Sequence, residues 1–261
     1  MTVWIDEPIW PAHGRSFAHL VSDTSYAELH AVAIAADLHP RSFDGDHYDV
    51  PDVLWQAAVD AGASPTTGVD LARRLNASGL RLRKRKGDRG LARQLGIAFP
   101  NGVSDVDLVA STNPAPEAKV MAAMVFVRDG AGSFAAVHSV RRAEWGSPGG
   151  WREAGESPLD NAIRETAEET GIVLDPSRVF PCGYERFTPV GDNLIDASRP
   201  LLQVYRAHLD EIAPALTEGD DGIHETRWVT PKGYAALCRE LFWWPLAVWT
   251  FPDLRALDPA P

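Results

Sequence analysis

The first 80 or so residues mix short apolar runs with stretches of helical spacing. Residues 3–5 (VWI) predict a strand, and residues 25–38 (SYAELHAVAIAADL) place apolar side chains three and four positions apart, as on one face of a helix. Residues 51–61 and 69–75 predict two more helices, since each has Pro or Gly at its edges. The pattern favours a small α/β domain over residues 1–95.

The pattern changes after residue 95. Residues 98–118 are rich in Pro, Ser, Asn and Gly, so we predict a linker over 96–116 and a second domain over 117–255. Residues 120–127 and 134–139 predict two strands separated by the turn DGAGS. Further strands are predicted at 183–188, 201–208 and 225–229, and a final helix from Pro231 to about Leu241.

Residues 157–171 predict a helix with well-defined ends. Ser157 is a suitable N-cap, Pro158 suits the first helical position, and Gly171 suits the end. At 3.6 residues per turn, one side is predicted to face a core. Its members are Leu159, Ala162, Ile163, Thr166 and Thr170.

Another side of this helix gathers three carboxylates, those of Glu165, Glu168 and Glu169. Like charges this close raise each other's pKa unless a cation is present, and Mg²⁺ is often held by one or two carboxylates plus substrate phosphates. A solvated acidic face is the alternative interpretation. The preceding loop favours the metal site, because Gly149 and Gly150 allow a ligand to approach the backbone closely.

The span from Gly150 to Ile172 carries fixed residues at a distinctive spacing. It contains Gly150, five residues, Glu156, seven residues, Arg164-Glu165-Thr166, one residue, Glu168-Glu169, one residue and Gly171-Ile172. Such a match has a chance frequency below about 10⁻⁸ per starting position at ordinary composition. The span resembles the Nudix box. Together with WGSPGGW at 145–151 and ETRWVTP at 225–231, it makes residues 117–250 similar to a Nudix domain.

The resemblance implies an α+β fold, in which a mixed sheet lies between helices as an α/β/α sandwich. It also implies hydrolysis of a nucleoside diphosphate linked to another moiety, with Mg²⁺ as the expected cofactor and Mn²⁺ as a substitute. By position, the metal ligands are expected to be Glu165, Glu168 and Glu169, with the carbonyl of Gly149 as an additional one.

Other residues of the box receive supporting roles from the same resemblance. Arg164 is expected to orient Glu165, whereas Gly150 and Glu156 are expected to support the box. Thr166 occupies a position that is usually aliphatic, and Asn161 one that is usually small. Because every acid of the box is present, we expect an active enzyme.

The general base is left open by the resemblance. It can be a box glutamate or an acid of a later loop, and we favour Glu165 or Glu225. The candidates in the later loop are Glu218, Asp220, Asp221 and Glu225.

Net charge, cysteine content and the length of apolar runs disfavour several classes of protein. The formal net charge of −11 does not favour nucleic acid or an anionic membrane as partner of the whole chain. Cys182 and Cys238 are too few and too far apart for a disulfide framework or a cysteine-rich zinc site. The stretch MTVWIDEPIW does not resemble a signal peptide, and no apolar run reaches the roughly 18 residues that span a bilayer. A cytoplasmic protein is therefore expected.

The N-terminal region is rich in histidine, with acids nearby. We consider His13, His19, Asp46 and His47 as candidates for a second metal or acid–base site. Ordinary turn chemistry is the favoured alternative, because no two of these histidines have a recognisable ligand spacing. The run WPAHGR…AHLVSD…ELH…FDGDHYDVP, within residues 2–85, resembles a domain of unknown function found joined to Nudix domains.

The stretch LRLRKRKGDRG at 80–90 is strongly basic. We interpret it as a solvated helix end and linker. A nucleic-acid-binding arm is not favoured, because the interleaved aromatic residues that stack on single strands are lacking. Two further hypotheses for what the stretch contacts are a ligand bearing a polyphosphate and acidic surface on the Nudix-like half of the chain.

The aromatic residues near the C-terminus have two interpretations. One of them could stack on a nucleobase, but we favour a helix or tail that docks its aromatic face on the core. The set consists of Phe242, Trp243, Trp244 and Trp249.

Three functions are compatible with the sequence. The first is a pyrophosphohydrolase acting on a nucleotide, nucleotide sugar, ADP-ribose or oxidised nucleotide. The second is a sensor that uses the Nudix fold to bind a nucleotide metabolite, and the third is a fusion of two enzymes. A homodimer is a hypothesis for the assembly.

Overall fold

Residues 3–140, 143–217 and 223–257 are described by the computed structural model, except for the side chains of Asn193, Ile223 and His224. The chain divides into two units between Arg93 and Gln94. Among the described residues, no helix is long and apolar enough to cross a membrane. Cys182 and Cys238 are buried free thiols, and burial raises the pKa of each to about 12.

The N-terminal unit is built on a five-stranded sheet. Its strands are β1 (Val3–Ile5), β2 (Trp10–Ala12), β3 (Arg15–Ser22), β4 (Tyr48–Pro51) and β5 (Ser64–Pro65). The order is β2-β3-β1-β5, and β4 also pairs with β3. The pair β1–β5 is parallel, and the pairs that β3 makes with β1, β2 and β4 are antiparallel.

Three helices complete this unit: α1 (Tyr26–Ala35), α2 (Trp55–Asp60) and α3 (Gly68–Ala77). The Ser25 side chain caps α1 and the Thr67 side chain caps α3, each accepting a backbone N–H two or three positions into the helix. The core includes Val3, Ile5, Leu20, Leu29 and Val50. The predicted strand at 3–5 and the small α/β character are confirmed.

The helix predicted over 51–61 is wrong in its first half. Pro51 ends strand β4, where it lies opposite Phe17, and a 3₁₀ turn at Asp52–Leu54 precedes α2. Proline is compatible with the end of a strand as well as with the start of a helix, so the residue alone did not decide between them.

The C-terminal unit is built on a nine-stranded mixed sheet. Its first strands are β6 (Arg89–Phe99), β7 (Gly102–Ala110), β8 (Val120–Arg128), β9 (Phe134–Ser139), β10 (Glu144–Gly146) and β11 (Gly149–Trp151). Strand β6 begins before the boundary at Gln94 and continues into this unit. The remaining strands are β12 (Val179–Asn193), β13 (Leu201–His208) and β14 (Ile223–Val229). The order is β10-β9-β8-β13-β12-β7-β6, with β11 on β8 and β14 on β9. The pair β8–β13 is parallel, which makes the sheet mixed as expected.

The helices of this unit are α4 (Pro158–Thr170), α5 (Pro231–Cys238), α6 (Trp244–Thr250) and α7 (Pro252–Arg255). Strand β8 is buried along almost its whole length, because it carries side chains to two packed faces. Ala123, Val125 and Val127 pack in one cluster with Ala162 of α4. Phe126 contacts the rings of Trp243 and Phe251. The expected α+β fold, a mixed sheet with helices packed on it, is confirmed.

The linker predicted over 96–116 is wrong. The end of β6 and all of β7 lie there, and Val106, Leu108 and Val109 are buried. The docking of the C-terminal aromatic residues is confirmed for Trp243 and Trp244, which are buried.

Candidate functional site

Helix α4 has the ends and the buried face that the sequence predicts. The Ser157 hydroxyl accepts the backbone N–H of Asp160 at 3.1 Å, and Gly171 ends the helix in the left-handed conformation at φ 76°. Ala162 and Thr166 are fully buried. Of the three carboxylates, Glu168 is exposed, Glu165 is half-buried and Glu169 is buried.

Arg164 connects three of the box carboxylates. Its Nε donates to Glu156 Oε1 at 2.9 Å and its Nη2 to Glu156 Oε2 at 3.2 Å. Its Nη1 donates to Glu168 Oε2 at 2.7 Å and lies 3.0 Å from Glu165 Oε1. Nη2 also donates to the carbonyl of Trp151 at 3.0 Å. The guanidinium thus fixes the helix, its carboxylates and strand β11 relative to one another.

Strand β11 approaches α4 through two glycines. The backbone N–H of Gly149 donates to Glu169 Oε2 at 2.9 Å, and Glu169 is buried. The Glu165 carboxylate lies over Gly150, where an added Cβ would be 2.4 Å from Glu165 Oε2. Glycine at 150 is therefore required for the position of this carboxylate.

The pKa values of Glu165 and Glu156 are shifted in opposite directions. Burial raises the pKa of Glu165, with a further contribution from Glu168 and Glu156, while Arg164 opposes the shift. The hydrogen bond from Arg164 lowers the pKa of Glu156. The same bond is the largest cause of the raised pKa of Arg164. Glu165 is thus a carboxylate with enhanced proton affinity beside a group that stays ionised.

The later-loop candidates for the general base are only partly described. Glu218, Asp220 and Asp221 lie outside the described residues. Glu225 lies on β14 opposite His138, with its carboxylate half-exposed and 3.9 Å from Arg227. A catalytic role for Glu225 stays a prediction.

A different group of side chains converges in the N-terminal unit. His19, His47 and Asp49 each place one potential ligand atom within 4.8 Å of the other two. Among the residues that the structure describes, this is the group of three such side chains that could hold a metal ion. His19 Nδ1 is 3.0 Å from Asp6 Oδ2, and His47 Nδ1 is 2.6 Å from Asp46 Oδ1. We name these five residues the histidine cluster.

The histidine cluster brings together three of the four residues proposed from the sequence as a second site. His13 is not among them, because it lies in the exposed turn between β2 and β3 at φ 49°. Asp6 and Asp49 are two of the acids that accompany the histidines in the sequence, but they were not among the four proposed site residues. His47 directly precedes strand β4 and Asp49 lies in it, two positions further on. Side chains two positions apart along a strand lie on the same face, and this spacing could have identified Asp49 from the sequence.

The electrostatics of the cluster favour a charged His47. Burial lowers its pKa, but the hydrogen bonds to Asp46 and Asp49 outweigh this effect and raise the pKa to about 9. Burial raises the pKa of Asp49, and the interaction with His47 more than compensates, so that the pKa is lowered.

The basic stretch pairs with acids of the same unit. Arg81 lies 3.5 Å from Asp46, and Arg85 lies 2.7 Å from Asp88. Lys84 and Arg89 both contact Asp44. Much of the positive charge of this stretch is therefore balanced locally.

Two family models match consecutive parts of this chain. Residues 118–244 match the family model described as "NUDIX domain", and residues 3–78 match the one described as "Protein of unknown function (DUF4031)". The chain therefore carries a Nudix domain behind a domain of unknown function, and both predicted resemblances are confirmed. No curated protein matches the chain.

Three solved structures illustrate what the C-terminal part of this chain is similar to. An Ap4A hydrolase of C. elegans in a binary complex has 18% identity and a TM-score of 0.37, covering 49% of this chain and 95% of its own. The pyrophosphohydrolase BsRppH of Bacillus subtilis has 17% identity and a TM-score of 0.43, with coverage of 60% and 94%. The NUDIX domain of Shewanella oneidensis NrtR, complexed with ADP ribose, has 18% identity and a TM-score of 0.39, with coverage of 54% and 90%.

Proposed function

We propose that this chain hydrolyses the diphosphate of a nucleoside diphosphate derivative. The observation that carries the proposal is the group around Arg164, in which Glu156, Glu165 and Glu168 converge on one guanidinium. Glu169 is added through its hydrogen bond to Gly149. Together with the Nudix domain match, this arrangement supports a catalytic rather than a merely solvated acidic face.

The carboxylate oxygens around Arg164 are the donor type that a hard divalent cation binds. Glu156, Glu165 and Glu168 carry three negative charges against one on Arg164, and burial of Glu165 leaves it poorly compensated by water. Carboxylate oxygens are the ligands that Mg²⁺ prefers, and Mn²⁺ accepts them as well. Glu165, Glu168 and Glu169 are the residues that would hold the ion, with Gly149 beside them. When bound, such ions neutralise phosphate oxygens and lower the pKa of a coordinated water.

The chain's own residues supply orientation and proton transfer. Glu165, whose pKa is raised, is suited to accept the proton of the attacking water. The water oxygen forms a bond to one phosphorus while the bond from that phosphorus to the bridging oxygen breaks, and the bridging oxygen leaves with the other phosphate. Arg164 holds the Glu165 carboxylate in place through its contact at 3.0 Å.

The substrate is best identified by a panel of hydrolysis assays. Nucleoside triphosphates, dinucleoside polyphosphates, nucleotide sugars and ADP-ribose would each be incubated with and without Mg²⁺. We expect Mg²⁺-dependent turnover of one class. We expect Glu168→Gln to lower it by about two orders of magnitude or more, the scale seen when one group that stabilises developing charge is removed.

Glu153→Gln is the matched control for this assay. Glu153 is exposed in the loop before α4, so its substitution removes the same charge outside the Arg164 group. We expect its turnover to match that of the unaltered protein. Tight binding of one compound without turnover, unchanged in Glu168→Gln, would contradict the proposal and favour a sensor.

A further inference from the structure

The histidine cluster is assembled by strand pairing. His19 on β3 lies directly opposite Asp49 on β4 in the antiparallel register. His47 precedes β4, and its Nε2 is 3.6 Å from Asp49 Oδ1. The two imidazole rings are 5.3 Å apart, centre to centre. Backbone hydrogen bonding between β3 and β4 therefore holds two imidazoles and one carboxylate at a common point.

Each imidazole is oriented by a buried carboxylate. Asp6 accepts from Nδ1 of His19 and Asp46 accepts from Nδ1 of His47, and both acids are almost fully buried. An ionised carboxylate only accepts hydrogen bonds, so each bond keeps the proton on Nδ1. The Nε2 nitrogen of each ring is then the atom that would bind an ion, and in the charged His47 it must first give up its proton. This arrangement of carboxylate and histidine is the one that orients metal-binding imidazoles.

The two orienting carboxylates are themselves held in place. Asp6 Oδ1 accepts the backbone N–H of His19 at 2.5 Å, and Asp6 Oδ2 accepts the indole N–H of Trp10 at 3.2 Å. Asp46 Oδ2 accepts the backbone N–H of Leu82 at 2.7 Å. Rigid support of this kind keeps ligand atoms close to their binding geometry.

We propose that His19, His47 and Asp49 bind one divalent transition-metal ion, with Asp6 and Asp46 as positioning residues. Two imidazoles and one carboxylate suit Zn²⁺ or Fe²⁺ better than Mg²⁺, which takes oxygen ligands. The site is distinct from the glutamates of α4 in its residues and in the ion it selects. It is independent of the proposed hydrolase activity.

The ligand count and exposure indicate an open site. Three protein ligands leave at least one coordination position for water or a small substrate, as in catalytic rather than structural zinc sites. The side chains of Asp49 and His19 are 38% and 29% exposed, so solvent reaches the cluster. His47 is 14% exposed and anchors the buried side.

The test uses Co²⁺ as a probe of nitrogen ligands in the full-length protein. The protein is freed of metal with a chelator and titrated with Co²⁺ in the presence of excess Mg²⁺, which competes for the oxygen donors of α4. We expect visible absorption bands that saturate at one equivalent and are abolished by an equivalent of Zn²⁺. His19→Ala and Asp49→Asn should each weaken binding roughly 100-fold or more, since even outer partners of ligands contribute 10–100-fold.

The matched control is His13→Asn. It removes an exposed imidazole from the same unit, and asparagine tolerates the left-handed conformation at φ 49°. We expect Co²⁺ binding to be unchanged, and circular dichroism establishes that each variant is folded. Equal affinity in His19→Ala, Asp49→Asn and the unaltered protein would overturn the proposal. So would the absence of saturable binding at millimolar Co²⁺.

A second measurement needs no substitution. Imidazole ¹⁵N resonances of the unaltered protein are recorded with and without Zn²⁺. We expect the Nε2 resonances of His19 and His47 to shift on addition of Zn²⁺. The resonances of His30 should not change, because His30 is hydrogen-bonded to Tyr48 outside the cluster. Shifts confined to exposed histidines would contradict the site.

Discussion

The box carboxylates and the histidine cluster show two ways of bringing like side chains together. The carboxylates come from one helix and the loop before it, between residues 149 and 169, and a cation on the same helix, Arg164, holds them. The imidazoles come from separate strands and loops, and buried carboxylates hold them. In each region the organising group has the charge opposite to that of the groups it orients.

The two regions differ in their donor atoms, and this difference indicates which metal ion each region suits. The first presents only oxygen donors around a charged guanidinium, a composition suited to a hard cation together with phosphates. The second presents imidazole nitrogens with their Nδ1 atoms already occupied, a composition suited to a transition metal. Variants of the organising and supporting residues should therefore affect one region and spare the other.

The largest effect is expected from Gly150→Ala. An added Cβ would lie 2.4 Å from the Glu165 carboxylate, which must move away by about an ångström. A displacement of that size can cost about 100-fold in rate, so kcat/KM for the diphosphate substrate should fall by about that factor. Steady-state kinetics with Mg²⁺ measures it.

Gly146→Ala is the control for this substitution. Gly146 lies on β10 in the same approach to the box, and its Cβ would meet Trp243 at an ordinary 4.0 Å. Full activity in Gly150→Ala would mean that the Glu165 carboxylate does not need its position over residue 150.

Arg164→Lys should have the next effect. Lysine cannot reproduce the planar fork that reaches Glu156 through two nitrogens and Glu168 through a third. Loss of a charge-assisted contact worth about 1.5–3 kcal/mol corresponds to a decrease of roughly 10–100-fold in kcat/KM. Co²⁺ binding by the histidine cluster should be unaltered in the same preparation. A parallel decrease in both would show that the substitution acts through general destabilisation.

Asp46→Asn tests the organising role in the other region. Asparagine can donate as well as accept, so it no longer enforces a proton on Nδ1 of His47. We expect Co²⁺ affinity to fall about 10–100-fold. Diphosphate hydrolysis should stay unchanged. The ¹⁵N resonances of His47 should show that its imidazolium loses a proton at a lower pH than in the unaltered protein, because the hydrogen bond to Asp46 is one cause of the raised pKa.

The comparison also explains how far the sequence could predict the two regions. The box depends on residues one to eight positions from Arg164, on one helix and the loop before it, so its spacing identified Arg164, Glu165 and Glu168 before any tertiary contact was known. The histidine cluster depends on the pairing of β3 with β4. His19 and Asp49 are 30 positions apart, and only the register places them opposite each other.

Local composition gave a wrong prediction for a segment whose structure is decided by strand pairing. Residues 98–118 were predicted as linker from their Pro, Ser, Asn and Gly content, but β7 runs through them. The pair Asn101-Gly102, a frequent hairpin signal, runs from the turn after β6 into the first residue of β7 and was the available signal for this turn. The apolar residues of β7, such as Val106 and Leu108, are buried in the sheet.

Thr166→Val should have the smallest effect and tests whether the unusual residue under the box matters. The buried Thr166 hydroxyl donates to the carbonyl of Ala162 at 2.7 Å, an acceptor that the helix can also satisfy. Valine has nearly the same shape, so the free energy of unfolding should change by less than about 1 kcal/mol. Urea denaturation of the C-terminal unit measures this change in the free energy of unfolding.

Thr170→Val is the contrasting variant, because the Thr170 hydroxyl also accepts the backbone N–H of Ile172 at 3.2 Å. Its removal leaves a buried donor without that acceptor and should cost about 1–3 kcal/mol. Equal costs for the two substitutions would mean that position 166 contributes more to the carboxylate helix than its packing indicates.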